Sequence, residues 1–259
     1  MKLGFVGTGA ITAAIVTGLN ASGAGEDSIL VSPRNAGVAA ALAARFPNVI
    51  IAASNQAVLD GSEIVMLAVR PQVAVEVLSE LKFRADHHVI SLMAITPLEK
   101  VRALVAPAAK VTRAIPIPIV ADRCGPTAIY PPDPVAAALF DRLGTAIEAT
   151  SADQFSAFSA ATATMAPYFA FADEIAGWLA RHDVPGEVAR TYVATVFQGL
   201  ANIAVREKQH NFAALAGEFA TRGGINEQVM AHLKERGALT ALSEALDAVL
   251  RRMKKAASG

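Results

Sequence analysis

Near the start of the chain, two glycines lie between an apolar strand-like run and an apolar helix-like run. The letters FVGTGAIT put Gly7, Gly9 and Thr12 at the spacing G-x-G-x-x-small. At this spacing the first glycine permits a tight turn, the second lets a ligand approach the backbone, and the third residue lets helix and strand pack closely. The helix start adds free N–H groups and a dipole that favour anions. The pattern predicts a dinucleotide-binding turn, with packing alone as the alternative, and its candidate contacts are Gly7, Thr8, Gly9, Ala10 and Ile11.

As far as about residue 150, the chain alternates between short apolar runs and helical segments. The strand-like runs are KLGFVG, SILVSP, NVIIAAS, SEIVMLAVRP, HHVISLMA, AKVTRAIP and PTAIYPP. Short strands separated by helices of about ten to fifteen residues are typical of βαβ units with a mostly parallel sheet. Such strands are covered on both faces, which explains apolar runs such as IVMLAV that do not alternate with polar residues.

After about residue 150 the strand-like runs end and the long segments have helical spacing. Ser151 and Asp153 are candidate N-terminal caps, and Gly237 is a candidate interruption between two helices. The two halves together predict an α/β Rossmann-type, NADP-binding domain at 1–150 and an all-α domain at 151–259.

Composition argues against several classes of function. The chain has 23 basic and 23 acidic residues, and its basic cluster RRMKK is typical of a solvated helix end, so we predict no nucleic-acid partner. The longest apolar stretch contains Asp173 and Glu174, which favours a buried helix over a membrane span. The single cysteine, Cys124, allows no intramolecular disulfide, and the first residues carry no secretory signal pattern. We therefore predict a cytoplasmic protein with no membrane partner, and we identify no metal site.

The residues after the second strand-like run indicate which dinucleotide the turn would bind. An NAD-binding turn is accompanied there by an acidic residue that bonds the ribose 2′-hydroxyl, whereas this chain has Ser32, followed by Arg34 and Asn35. A carboxylate would repel a 2′-phosphate, while a hydroxyl and a guanidinium would bind it. We predict that NADP(H) is preferred over NAD(H) by about ten- to a hundredfold, the effect of one charge-assisted contact. The alternative is that Arg34 is a solvated loop residue.

The next strand-like runs place more residues at the edge of the sheet where ligands bind. The run VMLAVRPQ contains Arg70 and Pro71, and Pro71 cannot continue a central strand, so the chain turns out at the carboxyl end of the sheet. Asn55 follows the preceding run at the same edge. Further cofactor contacts are expected at Asn55, Ala68, Val69, Arg70 and Pro71.

These motifs together resemble those of the pyrroline-5-carboxylate reductase family along nearly the whole chain. GFVGTGAITAAIVTGL is similar to the family's GFIGxGxMxxAxxxGL, LAVRPQ to LAVKPQ, HVISLMA to VISxxAG, and RAIP to the start of RxMPNTP. The segment EFATRGGINEQVMAHLKERG is similar to xVxSPGGTTxxxLxxLExxG and is the most specific of these matches. The resemblance implies NADPH-dependent reduction of 1-pyrroline-5-carboxylate to L-proline.

In that family the helical domain dimerises by intertwining, with the active site between one subunit's cofactor domain and its partner's helices. The resemblance implies a homodimer or higher homo-oligomer and gives the domain at 151–259 a role in substrate binding and dimerisation. The family's PGGTT loop donates backbone amides to the substrate carboxylate, and the threonine proposed to bond the substrate amine falls on Asn226, the implied catalytic residue. The implied substrate-binding residues are Pro116, Thr221, Gly223, Gly224 and Ile225.

The helix start at this second glycine loop is also predicted without the resemblance. Gly223 and Gly224 are followed by Asn226 as a candidate N-cap, and a helix start binds anions. The alternative is an ordinary glycine loop between two helices. Arg222 adds a charge that meets either a substrate carboxylate or solvent.

This chain departs from the family where the substrate would lie. MPNTP is replaced by IPIPI at 115–119, and SPGGTT is replaced by TRGGIN at 221–226. These changes remove polar side chains next to the substrate, whereas the cofactor motifs are kept. We therefore expect the chemistry, hydride transfer to a carbon–nitrogen double bond, to be kept more closely than the identity of the imine. A pyrroline-2-carboxylate-like or substituted ring is an alternative substrate.

Two further alternatives come from other classes of protein. A β-hydroxyacid dehydrogenase also joins a Rossmann domain to helices but needs a lysine where the helix FQGLANIAVREK has Asn202. A non-catalytic NADP-binding protein would keep the cofactor motifs and lose the substrate motifs. Hydride transfer to a protonated imine depends mainly on proximity and orientation, so we expect no essential general acid. The histidines are accordingly expected to be structural, with His87 and His88 at the surface.

Overall fold

The computed structural model describes residues 1–21 and 27–258, so Gly259 of the predicted second domain lies outside the described residues. The strands are β1 Lys2–Val6, β2 Ser28–Val31, β3 Val49–Ile51, β4 Ile64–Leu67, β5 His88–Ser91, β6 Lys110–Ile115, β7 Pro126–Tyr130 and β8 Thr145–Glu148. The helices of the α/β half are α1 Ala10–Asn20, α2 Ala36–Arg45, α3 Asn55–Asp60, α4 Pro71–Ser79, α5 Leu98–Leu104 and α6 Pro134–Asp141. The later helices are α7 Ala152–Ala161, α8 Met165–Ala180, α9 Gly186–Arg206, α10 Phe212–Phe219, α11 Ile225–Glu235 and α12 Ala238–Ser258.

The strands form one sheet in the order β3-β2-β1-β4-β5-β6-β7-β8. Neighbouring strands are parallel except β6 and β7, which are antiparallel. The order of the first six strands is that of a Rossmann fold, in which ligands bind at the carboxyl ends of the strands near β1 and β4. The predicted fold class, a Rossmann-type half followed by helices, is therefore confirmed. The sequence analysis missed β8, a short strand at the edge of the sheet.

Apolar residues cover both faces of the central strands. In β4, Ile64 and Met66 pack into one buried cluster, whereas Val65 and Leu67 pack into the cluster on the opposite face. This arrangement explains why the run IVMLAV does not alternate between apolar and polar residues, since a strand with two buried faces has no solvent side.

The chain divides into two compact units. The first contains residues 1–160 together with the last residues from Leu250, and the second contains 161–249. The first unit therefore holds the sheet, the helices that cover it and the last turns of α12, and the second holds most of the helical half. No helix in the described residues is long and apolar enough to cross a membrane.

Local hydrogen bonds determine where the later helices begin and end. The Gln154 N–H donates to Ser151 Oγ at 3.1 Å, which confirms Ser151 as the cap of α7. The cap prediction for Asp153 is wrong, because Asp153 lies inside the first turn. The apolar segment after it is two helices, α7 and α8, joined by one 3₁₀ turn at Thr162–Thr164. Gly237 separates α11 from α12, as predicted.

The prediction that His87 and His88 lie at the surface is wrong. Both residues are buried, and each ring has one partner far along the chain. The Nδ1 atom of His87 accepts from the Arg84 N–H, and its Nε2–H donates to the Leu59 carbonyl, both at 3.0 Å. His88 Nε2 lies 2.8 Å from Asp133 Oδ2. Burial lowers the pKa of His87 below its ordinary value because the interior disfavours the charged ring.

Candidate dinucleotide-binding turn and substrate loop

The glycine turn after β1 is enforced by backbone packing. Gly7 has φ +104°, a conformation that L side chains rarely adopt, and a Cβ there would lie 2.6 Å from the Ala68 carbonyl oxygen. The turn after β1 and the segment after β4 therefore lie in direct contact at the carboxyl end of the sheet. The structure thus brings together two sets of residues that the sequence analysis assigned to one cofactor site.

The buried hydroxyl groups of Ser32 and Thr8 fix the conformation of the turn. Ser32, just after β2, is fully buried, and its Oγ accepts from the Gly7 N–H at 3.0 Å. The Thr8 hydroxyl donates to the Ser32 carbonyl at 2.7 Å, and the two hydroxyl oxygens are 3.1 Å apart. The sequence predicts that Ser32 binds a 2′-phosphate. In the structure this hydroxyl is used inside the protein, where it orients the turn.

The start of α1 has the features of a phosphate site. The helix is capped by the backbone of Gly9 with no side-chain hydrogen bond, so the first N–H groups, those of Ala10 and Ile11, remain available. A Cβ built on Gly9 would meet nothing within 4 Å, which leaves open space above the turn. The buried Thr12 hydroxyl donates to the Gly7 carbonyl at 2.7 Å and closes the turn from the helix side.

Arg34 and Asn35 lie beside this turn at the carboxyl end of β2. Both are exposed, and Asn35 is the N-cap of α2 in the left-handed conformation with φ +71° and no side-chain cap hydrogen bond. No ion pair involves Arg34 in the described part of the chain. An exposed guanidinium and a free amide side chain are the groups that remain for a 2′-phosphate, since Ser32 is used internally.

The remaining cofactor candidates lie on segments that leave the same edge of the sheet. Ala68 and Val69 are half-buried between β4 and α4, Arg70 is the exposed N-cap of α4, and Pro71 is its first residue. Pro71 therefore ends the strand segment as predicted. Asn55 is half-buried as the first residue of α3, after the Ser54 cap.

Pro116, predicted to bind substrate, does not face an open site. It is buried directly after β6, where the chain enters a 3₁₀ turn at Pro118–Asp122. That turn packs closely on α1, because a Cβ on Gly18 would lie 2.2 Å from the Val120 carbonyl oxygen. In the first unit this part of the IPIPI segment therefore serves packing.

In the second unit, the loop at 221–226 has the predicted glycine turn but not the predicted free amides. Gly223 has φ +76°, and the Gly224 N–H donates to the Thr221 carbonyl at 2.9 Å. The Gly223 N–H donates to the Glu227 carboxylate at 2.7 Å. The two glycine amides are thus bonded within the loop, and the N–H groups of Ile225 and Asn226 at the start of α11 remain for a ligand.

The prediction that Asn226 is the N-cap of this helix is wrong. The N-cap is Gly224 in an extended conformation, and Asn226 is the second residue of α11. The amide Nδ2 of Asn226 donates to the Phe219 carbonyl at 3.1 Å, which fixes the side chain. Its Oδ1 has no hydrogen-bond partner among the described residues and is an acceptor on the exposed side of the loop.

Glu227 and Arg113 were not among the residues predicted from the sequence. Glu227 is the third residue of α11, and acidic residues are enriched in the first turn of helices, so this signal could have found it. Arg113 is a buried arginine in β6, and its signal was a cation inside the strand-like run AKVTRAIP. No group of three or more metal-ligating side chains is found in the described residues.

Comparison with known protein families matches the two halves separately. Residues 2–95 match the family model described as NADP oxidoreductase, coenzyme F420-dependent. Residues 152–256 match the model described as pyrroline-5-carboxylate reductase dimerisation. The second match spans the helical half and includes the loop at 221–226.

Individual proteins match most of the chain at low identity. Pyrroline-5-carboxylate reductase 3 of Xenopus laevis is 26% identical over 214 residues, which are 76% of this chain and 75% of that protein. A pyrroline-5-carboxylate reductase structure from Coxiella burnetii aligns with TM-score 0.85 and 22% identity over 98% of this chain and 97% of that one. The Plasmodium falciparum pyrroline carboxylate reductase with NADP bound aligns with TM-score 0.82 and 16% identity over 99% and 98%. These structures share the fold of this chain.

Proposed function

Because the chain is a divergent member of the pyrroline-5-carboxylate reductase family, we propose that it reduces the carbon–nitrogen double bond of a cyclic imine with NADPH. The first candidate reaction is 1-pyrroline-5-carboxylate to L-proline. The observation that carries this proposal is the complete glycine turn, with Gly7 packed on Ala68, in a chain whose helical half matches that family's dimerisation domain.

The residues of the turn fit a dinucleotide. The open space at Gly9 and the free N–H groups at the start of α1 suit a pyrophosphate, which is stabilised by the helix dipole. Arg34 and Asn35 would hold the 2′-phosphate, so we propose NADPH over NADH. The bound NADPH supplies the hydride. The chain's part is to hold the reacting groups close together in a fixed orientation, an effect worth up to about 7–11 kcal/mol.

On the substrate side, α11 supplies both a donor pair and an acceptor. The N–H groups of Ile225 and Asn226 suit a substrate carboxylate, and Asn226 Oδ1 suits the N–H of a protonated imine, which needs an acceptor. Asn226 therefore takes the place of the family's threonine hydroxyl. The protonated imine is already electrophilic, so no side chain needs to act as a general acid.

A second candidate substrate, an imine without a carboxylate, is favoured by one observation. The carboxylate of Glu227 already accepts from Gly223 and places a negative charge beside the loop. A substrate carboxylate would have to displace that group or lie next to it, and like charges this close repel. 1-Pyrroline, which carries no carboxylate, avoids this repulsion.

The helical half supports assembly into a homodimer or higher homo-oligomer. Large apolar side chains in the second unit are exposed in a single copy, among them Phe169 at 70%, Val205 at 69% and Phe212 at 79%. Soluble monomers rarely expose apolar patches of this kind without a partner. Light scattering should therefore give at least twice the monomer mass, and Phe212→Glu should lower that mass at micromolar protein concentration.

The test of the proposed reaction is the loss of NADPH absorbance with three imines: 1-pyrroline-5-carboxylate, 1-pyrroline-2-carboxylate and 1-pyrroline. Fastest turnover of the 5-carboxylate supports the first candidate, and fastest turnover of 1-pyrroline supports the second. Asn226→Ala should lower kcat about tenfold, the effect of one hydrogen bond to a charged group, and leave the Kd of NADPH unchanged. Tight NADPH binding without turnover of any imine would favour the non-catalytic alternative.

A further inference from the structure

Arg113 is a buried cation in the middle of β6. Its side chain is only 7% exposed. Nη2 donates to the Ala94 carbonyl at 2.6 Å, and the guanidinium lies over the Phe155 ring, 4.3 Å from its centre. Its Nε is buried without a hydrogen-bond partner among the described residues. Arginine is seldom this buried unless a carboxylate pairs with it, so this environment is incomplete.

No acidic side chain in the described part of the chain forms an ion pair with Arg113. The two acidic residues near it each have a cation of their own. Asp153 lies 2.6 Å from Lys254 Nζ, and Glu99 lies 2.8 Å from Arg102 Nη1. Arg113 therefore has no carboxylate to balance its charge among the described residues.

The guanidinium lines a cavity of about 400 Å³ within the first unit. Its walls come from the segment after β5, the end of β7, the start of α7 and the last turns of α12, and most of the contact is apolar, from residues such as Ile95, Pro97, Leu98, Tyr130 and Met253. A cavity of this size, mainly apolar with a few polar groups, is typical of small-molecule sites. None of the glycine-turn residues lines it.

Burial lowers the pKa of Arg113 to about 10, because the low-dielectric interior disfavours the charged form. The side chain still carries its charge at neutral pH. A ligand carboxylate in the cavity would supply the missing counter-charge and accept from the planar N–H groups, a geometry that guanidinium matches better than any other side chain.

We propose that this cavity binds a small organic carboxylate, with Arg113 as the anion-binding group and the apolar wall against the hydrocarbon part of the ligand. No glycine-turn residue lines the cavity, and the proposal does not rest on the proposed reductase activity. The competing explanation is that Arg113 only ties the segment at Ala94 to β6.

The test uses benzoate and benzamide as probes, titrated into the full chain by calorimetry without dinucleotide or imine. The two probes have the same shape and differ in charge. We expect benzoate to bind at least about tenfold more tightly, the effect of one charge-assisted contact. Arg113→Met should remove that difference. Arg45→Met is the matched control, because Arg45 also stacks on a ring, that of Phe46 at 4.9 Å, but is exposed.

A second variant tests the cavity without touching the arginine. Ser156 is half-buried in the cavity wall, so Ser156→Leu should fill the space and weaken benzoate binding about tenfold, while Ser156→Ala should not. This pair decides the question if Arg113→Met does not fold. Equal binding of benzoate and benzamide, or benzoate binding unaffected by Ser156→Leu, would overturn the proposal. Asn226→Ala should leave benzoate binding unchanged, because every residue that lines the cavity belongs to the first unit.

Discussion

The two glycine loops of this chain begin helices of the same length, yet they leave different groups for a ligand. Both α1 and α11 have eleven residues and an extended glycine as N-cap, Gly9 and Gly224, without a side-chain hydrogen bond. The first turn of α1 contains no acidic residue, whereas that of α11 contains Glu227. The Glu227 carboxylate bonds to the amide of Gly223. The partial positive charge at the helix start is therefore not neutralised by an acidic side chain in the first unit. In the second unit, Glu227 partly neutralises it.

The surroundings of the two loops differ as well. The first is held by buried groups, with Ser32, Thr8 and Thr12 bonded to its backbone. The second is exposed, and Ile225 is 80% accessible. A loop whose geometry is fixed by buried contacts can bind a ligand without reorganising, whereas an exposed loop depends on its own internal bonds. The comparison indicates a pre-organised glycine turn in the first unit and a solvent-exposed glycine loop in the second.

The largest expected effect tests how rigidly the first loop is held. Gly7→Ala should lower the affinity for NADPH at least about a hundredfold, because the new Cβ would clash with the Ala68 carbonyl and the residue would be strained at φ +104°. The melting temperature without ligand should fall too. Fluorescence titration with NADPH and calorimetric melting measure the two effects.

Two other glycines separate ligand contact from folding. Gly9→Ala should weaken NADPH binding while leaving the melting temperature nearly unchanged, because its Cβ meets no protein atom within 4 Å. Gly37→Ala, in the open part of α2, should leave binding unchanged and raise stability by about 0.5–1 kcal/mol. A loss of stability in Gly9→Ala as large as that in Gly7→Ala would contradict the open space above the turn.

The next effect concerns the 2′-phosphate. Arg34→Ala should lower the ratio of kcat/KM for NADPH to that for NADH by about ten- to a hundredfold, since one charge-assisted contact is lost. Arg70→Ala, at the N-cap of α4, is the comparison variant at the same edge of the sheet. An unchanged ratio in Arg34→Ala would mean that Arg34 is solvated, the alternative left open by the sequence.

Much of the first unit follows from local patterns in the sequence. The apolar runs gave seven of the strands, and the spacing of Gly7, Gly9 and Thr12 gave the turn, because both depend on neighbouring residues. β8 was not predicted because this strand has only four residues, is half-exposed and is polar at both ends. Strand pairing that reverses direction, as between β6 and β7, is also set by tertiary contacts that no local pattern records.

The site residues that could not be predicted are those whose partners lie far away in sequence. Ser32 looked like a ligand-binding hydroxyl, but its partner is the amide of Gly7, 25 residues earlier. His88 pairs with Asp133 across 45 residues. The importance of Arg113 depends on the cavity that it lines and on the lack of an acidic partner among the described residues, and both are set by tertiary structure. Glu227 is the exception, because its bond to Gly223 is local and acidic residues are enriched in the first turn of helices.

A smaller effect tests whether Glu227 hinders substrate carboxylates at the second loop. Glu227→Gln should lower the KM for 1-pyrroline-5-carboxylate about two- to fivefold, since a charge at a helix start contributes roughly 0.3–1 kcal/mol. Glu227→Ala should do the same and free the Gly223 amide. The KM for 1-pyrroline should not change in either variant. Glu244→Gln, on the exposed part of α12, is the control for loss of one negative charge, and equal KM values throughout would place the carboxylate elsewhere.

The smallest expected effect is a loss of stability at low pH that differs between the two units. His87 is buried in the first unit, where burial lowers its pKa below 6.5 and the positive charge of Arg84 lowers it further. The hydrogen bond to the Leu59 carbonyl and the charges of Asp86 and Asp60 act in the opposite direction. The unfolded chain therefore takes up a proton at a higher pH than the folded one. Stability is fully present above pH 6.5 and falls as the pH drops from there towards the lower pKa of the folded state.

The histidines of the second unit, His182, His210 and His232, are exposed, so acid should loosen the first unit more than the second. Melting followed at pH 7.5 and at pH 5.5, with hydrogen exchange to separate the units, measures this difference. His87→Gln should reduce the loss of stability at the lower pH because it removes the titrating ring. His182→Gln should leave that loss as it is in the natural sequence, and an equal reduction in both variants would mean that the buried ring of His87 is not its source.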